Sequence, residues 1–395
     1  MNRKATPYPT RIFATPTLNN EEHKVIEDIE TIRDSLRSSL GRTVRPRWAG
    51  LLRRNTFARA IRGSNSIEGF NVTAEDAIAA VEGEEPLDAR SETWAAVMGY
   101  RNAMTFVLQL ASDPHFSYSE GFIRSLHFMM LSYDLSKHPG AWRPGPIYVR
   151  DDQKGEVVYE GPDAENLPDL MRELISDLNR ASSVPVLIRA AMGHLNLVMI
   201  HPFSDGNGRM ARCLQTLVLA REGILEPQFC SVEEYLGRNT QPYYDVLARV
   251  GKGAWSPRNN ARPWLHFCLT AHYRQAHTLL RRTKEIGRIW DELEQEIHRR
   301  KLPERVILAL SDATMGYKIR NATYRSVAEI TDFVASRDLS LLVQEGLLIA
   351  AGEKRGRSYV GSKILKDIRN KTREPRPLND PVFSSSAYLP GLESS

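Results

Sequence analysis

Several things are scarce in this chain, and each scarcity excludes something. Cysteine occurs three times, as Cys213, Cys230 and Cys268, with no close pair. That spacing excludes a disulfide framework and reads as reduced thiols in a cytoplasmic protein. No run is long and apolar enough to span a bilayer as a helix, so no membrane-crossing helix is expected. The segment from Met1 to Thr17 has prolines and charges but no apolar core of a secretory signal. Charge of one sign is also lacking. The net charge of +5 over 395 residues does not by itself imply a nucleic-acid partner. No internal repeat and no long low-complexity segment is present. What remains is an ordinary soluble composition, 42% hydrophobic and 26% charged, on a chain long enough for two or three domains or subdomains.

Most of the chain has helical periodicity. Val25, Ile26, Ile29, Ile32, Leu36 and Leu40 place a helix over 20–40, with Asn19 or Asn20 as its cap. Helices are also expected over about 46–62, 73–82 (capped by Thr73), 91–112, 119–132, 165–180, 184–200, 213–220 and 262–282. A charged helix follows from about Thr283 to Arg300. The exception is a hairpin. Gly145 to Val149 and Glu156 to Tyr159 have strand composition around the turn from Asp151 to Gly155. The fold class is therefore mainly α with one β-hairpin.

The chemistry concentrates in His201-Pro202-Phe203-Ser204-Asp205-Gly206-Asn207-Gly208-Arg209-Met210-Ala211-Arg212. It lies between two apolar helical runs, in a tight turn. Gly206 and Gly208 let backbone approach a ligand, and the loop opens a helix whose N-terminus attracts phosphate. Arg209 and Arg212 are three apart and share a helix face. Two guanidiniums there suit a polyphosphate. Asp205 is a hard ligand for Mg²⁺ bridging phosphates. His201 suits a general base near neutral pH. His194, seven residues earlier, has no Cys or carboxylate partner that would make a zinc site. His127 falls on an apolar face and reads as a packing histidine.

This stretch resembles the motif of the Fic family, His-Pro-Phe-x-(Asp/Glu)-Gly-Asn-Gly-Arg-x-x-Arg, at every specified position. The resemblance implies a protein adenylyltransferase, moving AMP from ATP to a Tyr, Thr or Ser hydroxyl of a target protein. His201 would take the hydroxyl's proton, and Asp205 would hold Mg²⁺. Gly206, Asn207 and Gly208 would cradle the phosphates. Arg209 would neutralise the pyrophosphate leaving group, and Arg212 would bind the γ-phosphate. Met210 and Ala211 count with this nucleotide-binding stretch.

Three further features gain meaning beside it. Gly63-Ser64-Asn65-Ser66-Ile67-Glu68-Gly69 puts Ser64 and Glu68 on one helical face, with Gly69 ending the helix. It resembles the family's inhibitory motif, (Ser/Thr)-x-x-x-Glu-(Gly/Asn), which implies a Glu68–Arg212 ion pair that impairs γ-phosphate binding. The same glutamate could orient water for removal of AMP. The hairpin resembles the family's flap, with Val157, Val158 and Tyr159 lining the site and pairing with the target's backbone. Tyr243, of the Tyr243-Tyr244 pair, is a candidate nucleotide contact or a core aromatic. Gly251 stands where some relatives place an asparagine against the adenine. Other members transfer different nucleotides or phosphocholine, so the base remains a question for experiment.

The expected organisation is an N-terminal helical extension (1–90) with the inhibitory motif, a Fic core (91–282) with the flap hairpin (145–160), a small α+β domain (283–370) and a flexible tail (371–395). Helices from Val327 to Phe333 and Ser336 to Glu345, then short strands at Leu347 to Ile349 and Ser358 to Val360, resemble a winged helix-turn-helix. Its basic tip, Glu353 to Arg357, suits DNA phosphates, or the unit serves protein docking or dimerisation. The acidic Asp338 and Glu345 beside Arg337 tilt the balance to protein. The alternative to an enzyme is a DNA-binding regulator with the Fic body as nucleotide sensor. An intact His201 favours the enzyme.

Overall fold

The computed structural model describes residues 11–40, 47–150, 155–222, 232–352, 357–376 and 378–383. At its centre, α7 (Val186–Ile200) packs along α8 (Asn207–Arg221). Both are buried nearly all round, as expected of helices with apolar residues on every face. The loop between them carries the motif. Around this pair stand α4 (Ser91–Leu110), α5 (Glu120–Leu131) and α6 (Leu167–Asn179) on one side. On the other stand α1 (Asn20–Leu40), α10 (Thr240–Gly251) and the 39-residue α11 (Arg262–Arg300). Among the described residues no helix is long and apolar enough to cross a membrane.

Local chemistry sets the boundaries. Asn19 and Glu22 cap α1 reciprocally, each side chain accepting from the other's backbone N–H at 2.9 and 2.8 Å. The Thr73 hydroxyl accepts from Asp76 N–H at 3.0 Å and starts α3 (Ala74–Glu82). The N-terminal arm is tied down: Phe13 N–H donates to the Asn196 side chain at 2.8 Å, and its ring stands edge-on to Trp255.

Several boundaries differ from the sequence expectation. Helix α2 (Ala49–Ile67) continues past Arg62 to the Ser64 region, because nothing before Gly69 (φ +82°) breaks it. The expected helices 262–282 and 283–300 are one, so residue 283 lies mid-helix. Ile286, Ile289, Trp290, Leu293 and Ile297 keep the apolar stripe unbroken through the charged segment. The stretch around Tyr243 forms two helices, α9 (Glu233–Arg238) and α10, which meet at Asn239.

The hairpin strands are β1 (Tyr148–Arg150) and β2 (Val157–Glu160), shorter than expected. Gly145 and Pro146 lie outside β1, and most of the turn, 151–154, lies outside the described residues. A third strand, β3 (Gly253–Ala254), was not foreseen; it pairs parallel with β2 and makes β2 the middle strand.

The C-terminal part contains α12 (Ile307–Met315), α13 (Asn321–Ala328), α14 (Asp332–Gln344), the antiparallel pair β4 (Leu348–Ala351) and β5 (Ser358–Gly361), and α15 (Lys363–Thr372). The helix expected from Val327 to Phe333 is not one element: α13 ends at Ala328, Glu329 is left-handed at φ +53°, and α14 starts at Asp332, ahead of the expected Ser336. The Thr331 hydroxyl then caps α14. Of the basic hairpin tip, 353–356 lie outside the described residues. The tail expected to be flexible from 371 is docked as far as it is described. Arg274 pairs with Asp380, and Phe383 stacks on His266 at 4.0 Å.

This part is fastened to α2. The Arg54 guanidinium lies 2.6 and 2.5 Å from the two oxygens of Asp312, with both side chains buried. Arg59 donates to the Tyr317 hydroxyl.

Candidate active site

Helix α7 ends on His201, whose φ of +51° is unusual for a side-chain-bearing residue. Three bonds hold it there. Its N–H donates to Leu197 C=O at 3.0 Å, its Nδ1–H donates to Val198 C=O at 3.0 Å, and its own C=O accepts from Arg143 Nε at 2.8 Å. With Nδ1 as donor, Nε2 is left as the acceptor. Burial lowers the imidazole pKa from its ordinary value, so the ring is neutral and basic at neutral pH.

Arg143 was not foreseen, and its neighbours in sequence give no hint of it. It is buried, and it joins the motif loop to the flap. Its N–H donates to Pro202 C=O at 2.9 Å, and its guanidinium also reaches the carbonyls of Gly145 and Pro162.

His127 is a packing histidine, as expected. It stacks on Phe203 at 3.6 Å, accepts from Gly140 N–H through Nδ1 at 2.8 Å, and donates to Asp205 C=O through Nε2 at 3.0 Å. Burial lowers its pKa to about 4. Asn207 closes the loop by bonding both the N–H and the C=O of Phe203, at 3.0 and 2.8 Å.

Gly206 (φ +76°) precedes α8, whose first regular bond is Met210 N–H to Gly206 C=O at 2.9 Å. The free N–H groups of the first turn and the helix dipole form an anion seat. Met210 and Ala211 are buried in the core, so they contribute backbone rather than side chains.

Arg209 is buried, and its Nε and Nη1 find no protein acceptor. Buried guanidinium donors without partners are rare unless an anion completes them. Its guanidinium carbon lies 5.2 Å from the centre of the Phe70 ring.

Arg212 is held by the end of α2, from Ser64 to Glu68. Its Nε donates to Ser64 Oγ at 2.7 Å, and its Nη2 donates to Ser64 C=O at 3.1 Å and Glu68 Oε1 at 2.6 Å. Burial opposes the charge, but Glu68, with Tyr243 and Tyr100, outweighs it and raises the pKa above the ordinary arginine value. Its Nη1 has no protein partner. A Cβ built on Gly208 would lie 2.6 Å from Glu68 Oε1, so this carboxylate rests on the α8 N-terminus.

Asp205 meets a cation absent from the sequence reading. Lys137 Nζ lies 2.7 Å from its Oδ2, while Gly206 N–H donates to its Oδ1 at 2.6 Å. Burial pushes the carboxyl pKa up, but Lys137 outweighs it and holds the group below its ordinary range. Among the described residues no three His, Cys, Asp or Glu converge as a metal cage. A single hard carboxylate beside a phosphate seat still fits Mg²⁺, which takes its other ligands from phosphate and water.

Two expected contacts change. Tyr159 is buried, and its hydroxyl donates to Met199 C=O at 2.7 Å. It anchors the flap and is not a docking surface, because its strand position points into the core. Only Val157 (46% exposed) and the half-buried Val158 remain accessible. The Tyr159 ring also fills the space beside Gly251, where a Cβ would meet it at 3.0 Å.

Tyr243 is a core aromatic. Its hydroxyl donates to His194 Nε2 at 3.0 Å, and His194 Nδ1–H donates to Gln215 at 2.6 Å. The accessible ring is Tyr244, 43% exposed, whose hydroxyl donates to Ile67 C=O at 3.1 Å.

Residues 117–219, about a quarter of the chain, match the Fic/DOC family. Protein adenylyltransferase fic-1 of Caenorhabditis elegans is 26% identical over 217 residues, 54% of this chain and 41% of its own length. Protein adenylyltransferase Fic of Culex quinquefasciatus is 27% identical over 285 residues, 70% of this chain and 51% of its own. The chain spans about half the length of the curated relatives it matches. Among solved structures, a Fic family protein from Desulfovibrio desulfuricans superposes with a TM-score of 0.56 at 20% identity, covering 88% of this chain and 98% of that one.

Proposed function

We propose, on the premise that residues 117–219 form a Fic-type domain, that this chain transfers AMP from ATP to a hydroxyl side chain (Tyr, Thr or Ser) of a target protein. The observation that carries the reading is the pair of buried arginines at the α8 N-terminus. Three of their donor atoms, Arg209 Nε and Nη1 and Arg212 Nη1, lack protein acceptors. A polyphosphate supplies them.

His201 Nε2 takes the proton as the target's oxygen attacks the α-phosphorus. The bond from that phosphorus to the bridging oxygen breaks, and pyrophosphate leaves with the electron pair. Arg209 offsets its charge. Mg²⁺, when bound, supplies neutralisation of phosphate charge, and Asp205 is the residue that would hold it. Nearly all of this is positioning and electrostatics.

Target docking rests on β2. Val157 and Val158 lie beyond the two residues that pair with β3, so their backbone on that side can accept an added strand.

The reading includes autoinhibition by Glu68, and extends to the same carboxylate orienting water for the reverse reaction. What supports inhibition is that Glu68 occupies both a γ-phosphate ligand and the helix N-terminus. The C-terminal part resembles a winged helix-turn-helix. Two of its acidic groups are turned inward, Asp338 to Arg305 at 2.6 Å and Glu345 to Arg300 at 3.2 Å, and its ties to α2 favour a docking or supporting role over DNA binding.

The test is labelling with ATP carrying label at the α- or the γ-phosphate. Protein-bound α-label, lost in His201→Ala, is the expected result. Label from the γ-position alone would mean phosphotransfer and a misassigned site.

A further inference from the structure

Lys137 is not a loose surface lysine. It ends a short helical turn, Leu135–Lys137, started by the Asp134 side chain, which accepts from Ser136 N–H at 3.0 Å. The chain then passes through His138 (φ +48°) to Gly140 (φ +77°), whose N–H is bound by His127. His127 also holds Asp205 C=O. One buried ring therefore sets both Lys137 and Asp205, and the two side chains meet at 2.7 Å.

The ammonium also stands 5.8 Å from the Phe70 ring, and the Arg209 guanidinium carbon lies 5.2 Å from the same ring. Lys137 and Arg209 are thus two cations around one aromatic side chain at the edge of the phosphate seat. Lys137 is 26% exposed along its side chain, so it has room to turn.

Asp205 has both oxygens engaged, one by Gly206 N–H and one by Lys137. A divalent ion approaching that carboxylate meets an ammonium already in hydrogen-bond contact with it. Two cations on one carboxylate oxygen repel, and the flexible one yields. The Asp134 carboxylate, 4.0 Å from the ammonium, keeps the displaced Lys137 at the edge of the seat, where a nucleotide phosphate can take it up.

We propose that Lys137 is a nucleotide-binding residue that guards Asp205 while the site is empty and transfers its ammonium to a phosphate of the bound nucleotide when a divalent ion takes the carboxylate. The inference rests on the proposed ATP site. It gives Lys137 two measurable effects. It competes with the metal for Asp205, and it adds attraction for the phosphate.

The experiment is calorimetric titration of the full chain with the non-transferable α,β-methylene analogue of ATP. It is run without Mg²⁺ and across a Mg²⁺ series, with Glu68→Gly as the parent so that the phosphate seat is free. Lys137→Met and Lys137→Arg are compared with that parent.

Lys137→Met is expected to weaken nucleotide binding at saturating Mg²⁺ about tenfold or more, the worth of one charge-assisted hydrogen bond to phosphate. It should also lower the Mg²⁺ concentration that gives half-maximal binding. Lys137→Arg should keep the affinity at saturating Mg²⁺. Binding curves for Lys137→Met that superimpose on the parent at every Mg²⁺ concentration would overturn the assignment. So would an equal loss at all concentrations with a lowered Tm, the mark of a brace. A parent that binds no adenine nucleotide at any Mg²⁺ concentration would overturn the proposed function as well.

Discussion

One oxygen of the Glu68 carboxylate, Oε1, lies 2.6 Å from Arg212 Nη2 and also 2.6 Å from where a side chain at Gly208 would begin. One anion thus meets an arginine and the first turn of a helix together, the two features that suit a terminal phosphate. Removing it should release both. A charge-assisted hydrogen bond of about 1.5–3 kcal/mol corresponds to roughly ten- to hundredfold. Glu68→Gly is expected to raise α-label transfer by that order, and an unchanged rate would remove Glu68 from the regulation.

His201 makes the opposite prediction. A general base contributes about 10²–10⁴-fold, so His201→Ala should lose transfer by that factor and keep nucleotide binding. Its pKa is lowered by burial. A base acts when unprotonated, so the rate should stay level through neutral pH. It should fall only below the ordinary histidine value of about 6.5. A profile that is already falling at pH 7.5 on acidification would contradict this assignment.

The fold itself should be acid-sensitive for a related reason. Burial lowers His127 to about 4 and His194 to about 3. An unfolded chain binds these protons from about pH 6.5 downward, while the folded chain refuses them until pH is much lower. Their contribution to stability is therefore complete above pH 6.5 and shrinks as pH falls towards 4 and 3. Denaturant midpoints measured from pH 7 to 4 should decline. Replacing His194 by Gln should flatten part of the slope.

Asp312 predicts a coupling between distant parts of the chain. Asp312→Ala leaves the Arg54 guanidinium buried with its main counter-charge gone, and breaking such a pair costs about 3–5 kcal/mol. Thermal unfolding should show a clear drop in Tm. Replacing both residues with apolar side chains of similar size should recover much of it.

How much of this was legible in the sequence depended on the range of the interaction. Helices with a clean apolar stripe were placed well, because their pattern is local, and Thr73 and Asn19 announced their caps. The motif from His201 to Arg212 was legible because its members are covalent neighbours. Ser64 and Glu68 were legible because they lie one helical turn apart. Lys137 and Arg143 were not, since each reaches the site only through a fold that closes 58 or more residues of chain. Tyr159 was misread because a strand's alternation says which residues share a face and not which face meets the core. The two-residue strand β3 carries too little pattern to be seen. The tail looked flexible by composition, and Phe383 and Asp380 find partners that only the assembled α11 offers.

Helix α2 has one more property, and it is a length. Arg54 grips the C-terminal part, and Glu68, just past the last turn, grips the phosphate site, fourteen positions further along the same helix. At 3.6 residues per turn that is close to four full turns, so the two grips point nearly the same way, about 20 Å apart. Inserting one residue anywhere between them would leave every side chain present and swing one grip by about 100° around the axis. The helix works as a ruler, and part of what this sequence specifies is simply the number of residues between two hands.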